Sequence, residues 1–178
     1  MRPDMSIVLG GVAVLVAAIL QDMIPATALL PVKGYFLTAV AVYYVLAKPH
    51  LMSVVMVVWA GMLTDALGRL PQGCTLVFLM LVYGVLLVFK RILLEATVLQ
   101  GTLLMAVFSM LQQVWTHAWV RHSGISIFST DMLKLAGSSA VMGLLTGFSM
   151  FLICTWLERF KGVVEREPTE DEGLHGIV

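Results

Sequence analysis

The chain is a succession of apolar runs, each about as long as a bilayer is thick and each stopped by a short polar or proline-containing break. About 20 helical residues cross the roughly 30 Å hydrocarbon core of a bilayer. Within hydrocarbon, only a helix or a closed barrel satisfies every backbone group internally. Six spans would take about 120 residues, which leaves little of the 178 for a soluble domain. The composition agrees, with 60% hydrophobic and 12% charged residues against about 25% charged in soluble domains. Lys plus Arg and Asp plus Glu number 11 each, so no excess positive field is available to hold nucleic acid. The expectation is an all-α membrane protein with six transmembrane helices, no soluble catalytic domain and no nucleic-acid partner.

The apolar runs and their punctuation place helices over residues 6–24, 31–47, 51–70, 74–89, 96–119 and 132–157. Pro25 ends the first, Lys48-Pro49-His50 separates the second from the third, and Pro71-Gln72-Gly73 turns the third into the fourth. The fourth stops where Lys90-Arg91 meets water, and Ser129-Thr130-Asp131 supplies caps for the sixth. That last helix would rise about 39 Å, so it must tilt or emerge from the bilayer. Residues 158–178 are charged, contain Pro168 and Gly173 and lack an apolar period, the composition of a disordered tail. The first run is read as a retained helix and not a signal peptide, because a polar Gln21-Asp22 pair stands where small residues should prepare cleavage.

Basic loops tend to remain cytoplasmic. One side collects Arg2, Lys48, Lys90, Arg91, Arg159, Lys161 and Arg166, and the other Lys33, Arg69, Arg121 and Lys134, which puts both termini inside. Trp119, Trp156 and Phe160 fall near helix ends, where aromatic side chains anchor at the interface. With this topology Gln21, Asp22, Asp65, Gln112 and Gln113 lie at nearly one depth in the outer half, joined by His117, Lys134, Ser138 and Ser139. Polar groups in a bilayer face the bundle interior or a wet cavity, so such a layer suggests a site open to the outside. Two roles stand open for Asp65: pairing with Arg69 four residues later along one helix face, or contact with a ligand or partner. Gln112 and Gln113 are adjacent and point about 100° apart, which predicts that they face different neighbours. Ser139, Gly143 and Gly147 recur every four residues on the sixth helix, a pattern that lets helices approach closely, either inside the bundle or against another membrane protein. Ala13 and Ala17 offer a similar face on the first helix.

The chain carries no G-x-S-x-G, H-E-x-x-H or Walker lysine motif. Cys74 and Cys154 make no C-x-x-C and stand near opposite membrane faces, too far apart for a disulfide. Its 12 methionines suit flexible packing better than a thioether metal route. The expectation is therefore no catalytic residue, no metal and no cofactor.

The third helix and its exit read Gly61-Met62-Leu63-Thr64-Asp65-Ala66-Leu67-Gly68-Arg69-Leu70-Pro71-Gln72-Gly73. This resembles the signature of the rod shape-determining protein MreD family: a Gly, an Asp four residues later, then a turn ending in Gly. Ala18-Ile19-Leu20-Gln21 before Pro25, and Ala47-Lys48-Pro49-His50, resemble two further segments of that family. The likeness covers about the first half of the chain; the acidic tail and Arg69 are departures from it. It implies a small multi-pass protein of the bacterial inner (plasma) membrane, a non-enzymatic scaffold of cell elongation and cell shape. Its implied partners are MreC, the MreB cytoskeleton and the peptidoglycan polymerase and transpeptidase of lateral wall growth. The implied fold is that of the substrate-binding components of energy-coupling-factor transporters, which makes a vitamin-binding subunit of such a transporter the alternative reading.

Overall fold

The computed structural model describes residues 3–24, 33–68, 70–90, 98–122 and 132–164. These form six α-helices and no strand: α1 (Pro3–Met23), α2 (Phe36–Ala47), α3 (His50–Gly68), α4 (Cys74–Lys90), α5 (Val98–His122) and α6 (Met132–Val164). Three of them contain stretches long and apolar enough to cross a membrane, over His50–Gly68, Val98–Val120 and Lys134–Arg159. The apolar parts of α1, α2 and α4 are shorter. Two boundaries differ from expectation by more than three residues. The second helix starts at Phe36, not at residue 31, and α6 continues through the first charged residues of the expected tail to Val164. Long polar side chains prolong a helix readily once it has begun, because each added residue brings a hydrogen bond without a new nucleation cost. Residues 165–178, the rest of that tail, lie outside the described residues.

The centre of the molecule is α2. All residues from 36 to 46 are buried, and the helix touches every other helix of the bundle. Its sequence, FLTAVAVYYVLA, carries no charge on any face, as expected of a helix enclosed on all sides. Around it the most extensive pairing is α5 with α6, followed by the sequential neighbours α2 with α3 and α3 with α4. Tyr43 lies edge-on to Phe151 of α6 at 5.3 Å between ring centroids, so the aromatic pair of α2 anchors it to the α6 side.

Each end of α2 leaves four backbone groups without intrahelical partners; the N-terminal end is buried, whereas Ala47 at the C-terminal end is exposed. The bundle supplies those partners from other helices. At the N-terminus the Leu37 N–H donates to Gln21 Oε1 of α1 at 3.2 Å. At the C-terminus the Lys90 ammonium, the last residue of α4, donates to the Val45 carbonyl at 3.0 Å and the Lys48 carbonyl at 2.8 Å. Ser53 Oγ of α3 donates to the Tyr44 carbonyl at 2.9 Å. Lys90, partly exposed at the end of α4, is therefore also a cap on α2, and its positive charge complements the negative end of the α2 dipole.

Charge-assisted hydrogen bonds contribute roughly 1.5–3 kcal/mol. Lys90→Met, which keeps the length of the side chain and removes the donor, should therefore cost about 2 kcal/mol. Lys90→Arg, which keeps both charge and donors, should cost less. Thermal midpoints of the purified variants in detergent check this; equal midpoints for wild type and Lys90→Met would remove the capping role.

A candidate functional site: the polar belt at one end of the bundle

Of the polar residues expected at one depth, Gln21, Asp65, Gln112, Gln113 and Ser139 turn inward at one end of the bundle, whereas Asp22 and Lys134 are exposed. Asp65, near the end of α3, is 4% exposed. Its Oδ2 accepts the Gly73 N–H at 2.9 Å and its Oδ1 accepts the Thr75 N–H at 2.8 Å. The carboxylate thus caps the start of α4, where unpaired N–H groups and the positive end of the helix dipole favour an anion. Gly73, at φ +91°, takes a conformation that side chains other than glycine rarely adopt, and it aims its own N–H back at α3. A Cβ on Gly61 would lie 2.8 Å from the Leu76 Cα, so glycine is needed for α3 and α4 to approach as closely as they do. The three residues Gly61, Asp65 and Gly73 act together, as the lock of one helical hairpin.

The cap on α4 is a third role for Asp65, beside the two open to it in the sequence. A helix pattern sees only neighbours along the same face, whereas the acceptor was needed across the turn. Arg69 lies outside the described residues, and the expected Asp65–Arg69 pair with it.

Gln112 and Gln113 both turn toward the start of α2. Thr38 Oγ1 donates to Gln112 Oε1 at 2.9 Å, and the Tyr35 hydroxyl donates to Gln113 Oε1 at 2.9 Å. The expectation that they face different neighbours is corrected here: long side chains at a 100° separation converge because Tyr35 and Thr38 present donors one turn apart. Close by on α5, the Trp115 Nε1–H donates to the Cys74 carbonyl at 2.9 Å, and Trp115 lies against Trp119 at 5.6 Å between centroids. Ser109 Oγ donates to the Ser139 carbonyl of α6 at 2.9 Å. The belt therefore joins all six helices: Gln21 on α1, Thr38 on α2, Asp65 on α3, the capped start of α4, Gln112 and Trp115 on α5, and Ser139 on α6. Thr75 Oγ1, buried beside the Asp65 cap, has no hydrogen-bond partner among the described residues.

The small-residue faces are internal as well. A Cβ on Gly143 would overlap the Ser109 side chain and lie 2.7 Å from the Met105 carbonyl oxygen, and one on Gly147 would lie 2.8 Å from the Met105 Cβ. Both glycines are filled by α5, so they offer no surface to another protein. Ala13 and Ala17 are fully buried too, which removes them as an exposed coupling face. Close backbone approach in place of bulky apolar contact is how helices associate where lipid supplies no hydrophobic drive.

Outside the belt, Asp22 is exposed and His117 half-buried. Among the described residues, no three His, Cys, Asp or Glu side chains converge as metal ligands would. An open depression of about 700 Å³ lies against the α3–α4 turn, lined by Asp65 with Met62, Ala66, Leu70, Gln72, Gly73 and Leu76. The Asp65 carboxylate on its wall already holds two backbone donors.

Sequence reading overlooked Lys90, Ser53 and Trp115, the residues that cap or brace other helices. For Lys90 no local signal existed, because a short uncharged helix reads the same whether lipid or protein surrounds it. No family model, curated protein or solved structure matches the chain.

Proposed function

We propose that this chain is a six-span protein of the bacterial inner membrane, with both termini cytoplasmic, that serves as a non-enzymatic scaffold of the cell-elongation complex in the manner of MreD. It binds MreC and, through it, the MreB cytoskeleton and the peptidoglycan polymerase and transpeptidase. The observation that carries this reading is the division of the molecule into polar inside and apolar outside. The belt's Asp65, Gln21 and Gln112 already hold internal partners, whereas the outward faces display large apolar side chains such as Leu81, Val85 and Val88 of α4 and Trp59 and Met62 of α3. Such a molecule offers a rigid shape and an apolar surface to other membrane spans. Its likeness to the MreD signature adds to this, because Gly61, Asp65 and Gly73 form one mechanical unit.

In this reading α2 sits at membrane depth without reaching both surfaces, and the non-helical Gly34 and Tyr35 before it are tolerated because they are buried in protein. Recognition of a partner would follow the rules of helix packing in lipid, by van der Waals fit over exposed faces.

The test is co-expression of the tagged full chain with MreC and recovery from the membrane fraction. MreC should co-purify in stable proportion. Recovery instead with a tightly held small molecule or with a transporter ATPase would overturn the scaffold in favour of a vitamin-transporter subunit.

A further inference from the structure

At the end of the bundle opposite the polar belt, an open groove of about 450 Å³ runs between the start of α5 and the late part of α6. Val98, Leu152, Ile153 and Trp156 give it apolar walls, and Thr155 and Arg159 complete its lining. Thr155 Oγ1 is turned onto the Phe151 carbonyl at 2.7 Å, which leaves Arg159 as the polar feature of the groove. Leu152, Trp156 and Arg159 stand at i, i+4 and i+7, one stripe of the helix. Along that stripe the surface passes from aliphatic to aromatic to cationic over about 10 Å. That is the order met on leaving a bilayer: acyl chains, the interfacial level where Trp is enriched, then phosphates.

The sign of the charge at this end points the same way. Glu158, beside Arg159, is held by Lys48 at 2.6 Å, so the neighbouring acid is already neutralised. Lys90 lies against the same segment, its ammonium on the Lys48 carbonyl. Lys48, Lys90 and Arg159 all belong to this end of the bundle, and of the described side chains named here only Glu158 is acidic. Arg159 is exposed, and a guanidinium is suited to bidentate contact with a phosphate.

We propose that this groove is a binding site for an anionic phospholipid, with one acyl chain along Leu152, Ile153 and Trp156 and the headgroup phosphate at Arg159. The site rests on the membrane placement of the chain and not on its scaffold role. A lipid held there would also press α5 onto α6 at the level where the Lys48–Glu158 pair ties α6 to the loop after α2.

The experiment uses the full chain, purified from membranes in mild detergent, stripped of lipid and titrated separately with phosphatidylglycerol and phosphatidylethanolamine. Bound lipid is counted by native mass spectrometry. The wild type should hold phosphatidylglycerol in preference to phosphatidylethanolamine. Arg159→Gln should weaken the anionic lipid about fivefold, the equivalent of roughly 1 kcal/mol per basic side chain at an anionic surface, and leave the zwitterionic lipid unchanged. Arg159→Lys should keep most of the preference, and Leu152→Trp, which fills the groove, should weaken both lipids. Equal binding of the two lipids by the wild type, or wild-type binding of phosphatidylglycerol by Arg159→Gln, would overturn the site. MreC recovery measured on the same preparations keeps the two readings apart, since lipid selectivity without MreC binding removes the scaffold and leaves the groove.

Discussion

Replacing Asp65 by alanine is expected to lower the stability of the protein by about 3 kcal/mol and to reduce its abundance in the membrane. The carboxylate receives two backbone N–H groups at the start of α4 from a position that is 4% exposed. Losing an N-cap costs about 0.5–2 kcal/mol. The buried Thr75 N–H is then left without an acceptor, at roughly 1–3 kcal/mol more, while the Gly73 N–H, part-buried beside the open depression, loses less. Asp65→Asn retains one acceptor oxygen and sets an amide donor against the second N–H, so an intermediate loss is expected.

Thermal midpoints in detergent and membrane abundance, read together with MreC recovered per molecule of surviving protein, separate the possibilities. Lower stability with unchanged MreC binding per molecule identifies Asp65 as the hairpin lock. Unchanged stability with lost MreC binding would make it a contact residue and discard the capping account.

Gly143→Leu should be the second severe change. Even the Cβ of alanine at this position would stand 2.7 Å from the Met105 carbonyl oxygen and overlap Ser109. Neither the backbone of α5 nor the Ser109 Cβ can swing aside, so α5 and α6 must separate along the most extensive helix pairing in the molecule. Overpacking by one or a few methylenes costs about 1–3 kcal/mol. Gly143→Ala should fall in that range, and Gly143→Leu should exceed it. Ser109→Gly in the alanine background should rescue only part of the loss, since the Met105 carbonyl remains.

Gly137, on the same helix, is the control: a Cβ there meets nothing within 4 Å. Gly137→Ala should be neutral or stabilising by about 0.5–1 kcal/mol through backbone entropy. Midpoints for Gly143→Ala and Gly137→Ala that fall together would show that α5 does not fill the Gly143 notch. A Gly143→Ala protein that is stable but has lost MreC would restore the notch as an external docking face.

Several features of the molecule were legible in the chain before its fold was known. Runs of apolar residues and the breaks between them are local properties, and four of the six helices begin and end within three residues of where punctuation placed them. The depth of Gln21, Asp65 and Gln112 was legible for the same reason: position along a helix of known rise gives height in the bundle. Orientation about the helix axis was not. Whether Gly143 faced a sister helix or a foreign one depended on how α6 was rotated against α5, and four-residue spacing is equally compatible with both.

The sequence by itself determined that this protein is a bundle of apolar helices with most of its embedded polar groups gathered at one level, because burial length and hydropathy are properties of consecutive residues. Only the tertiary structure decided what those groups do. The acceptor for Leu37 lies 16 residues away, the partner of Thr38 lies 74 away, and the ammonium that closes α2 comes from 45 residues beyond Val45. Each of these bonds needs two helices set to the right depth and rotation at once. That setting centres on the short helix α2, whose unpaired ends are met from neighbouring helices, by Gln21 at its buried start and by Lys90 at its partly exposed end.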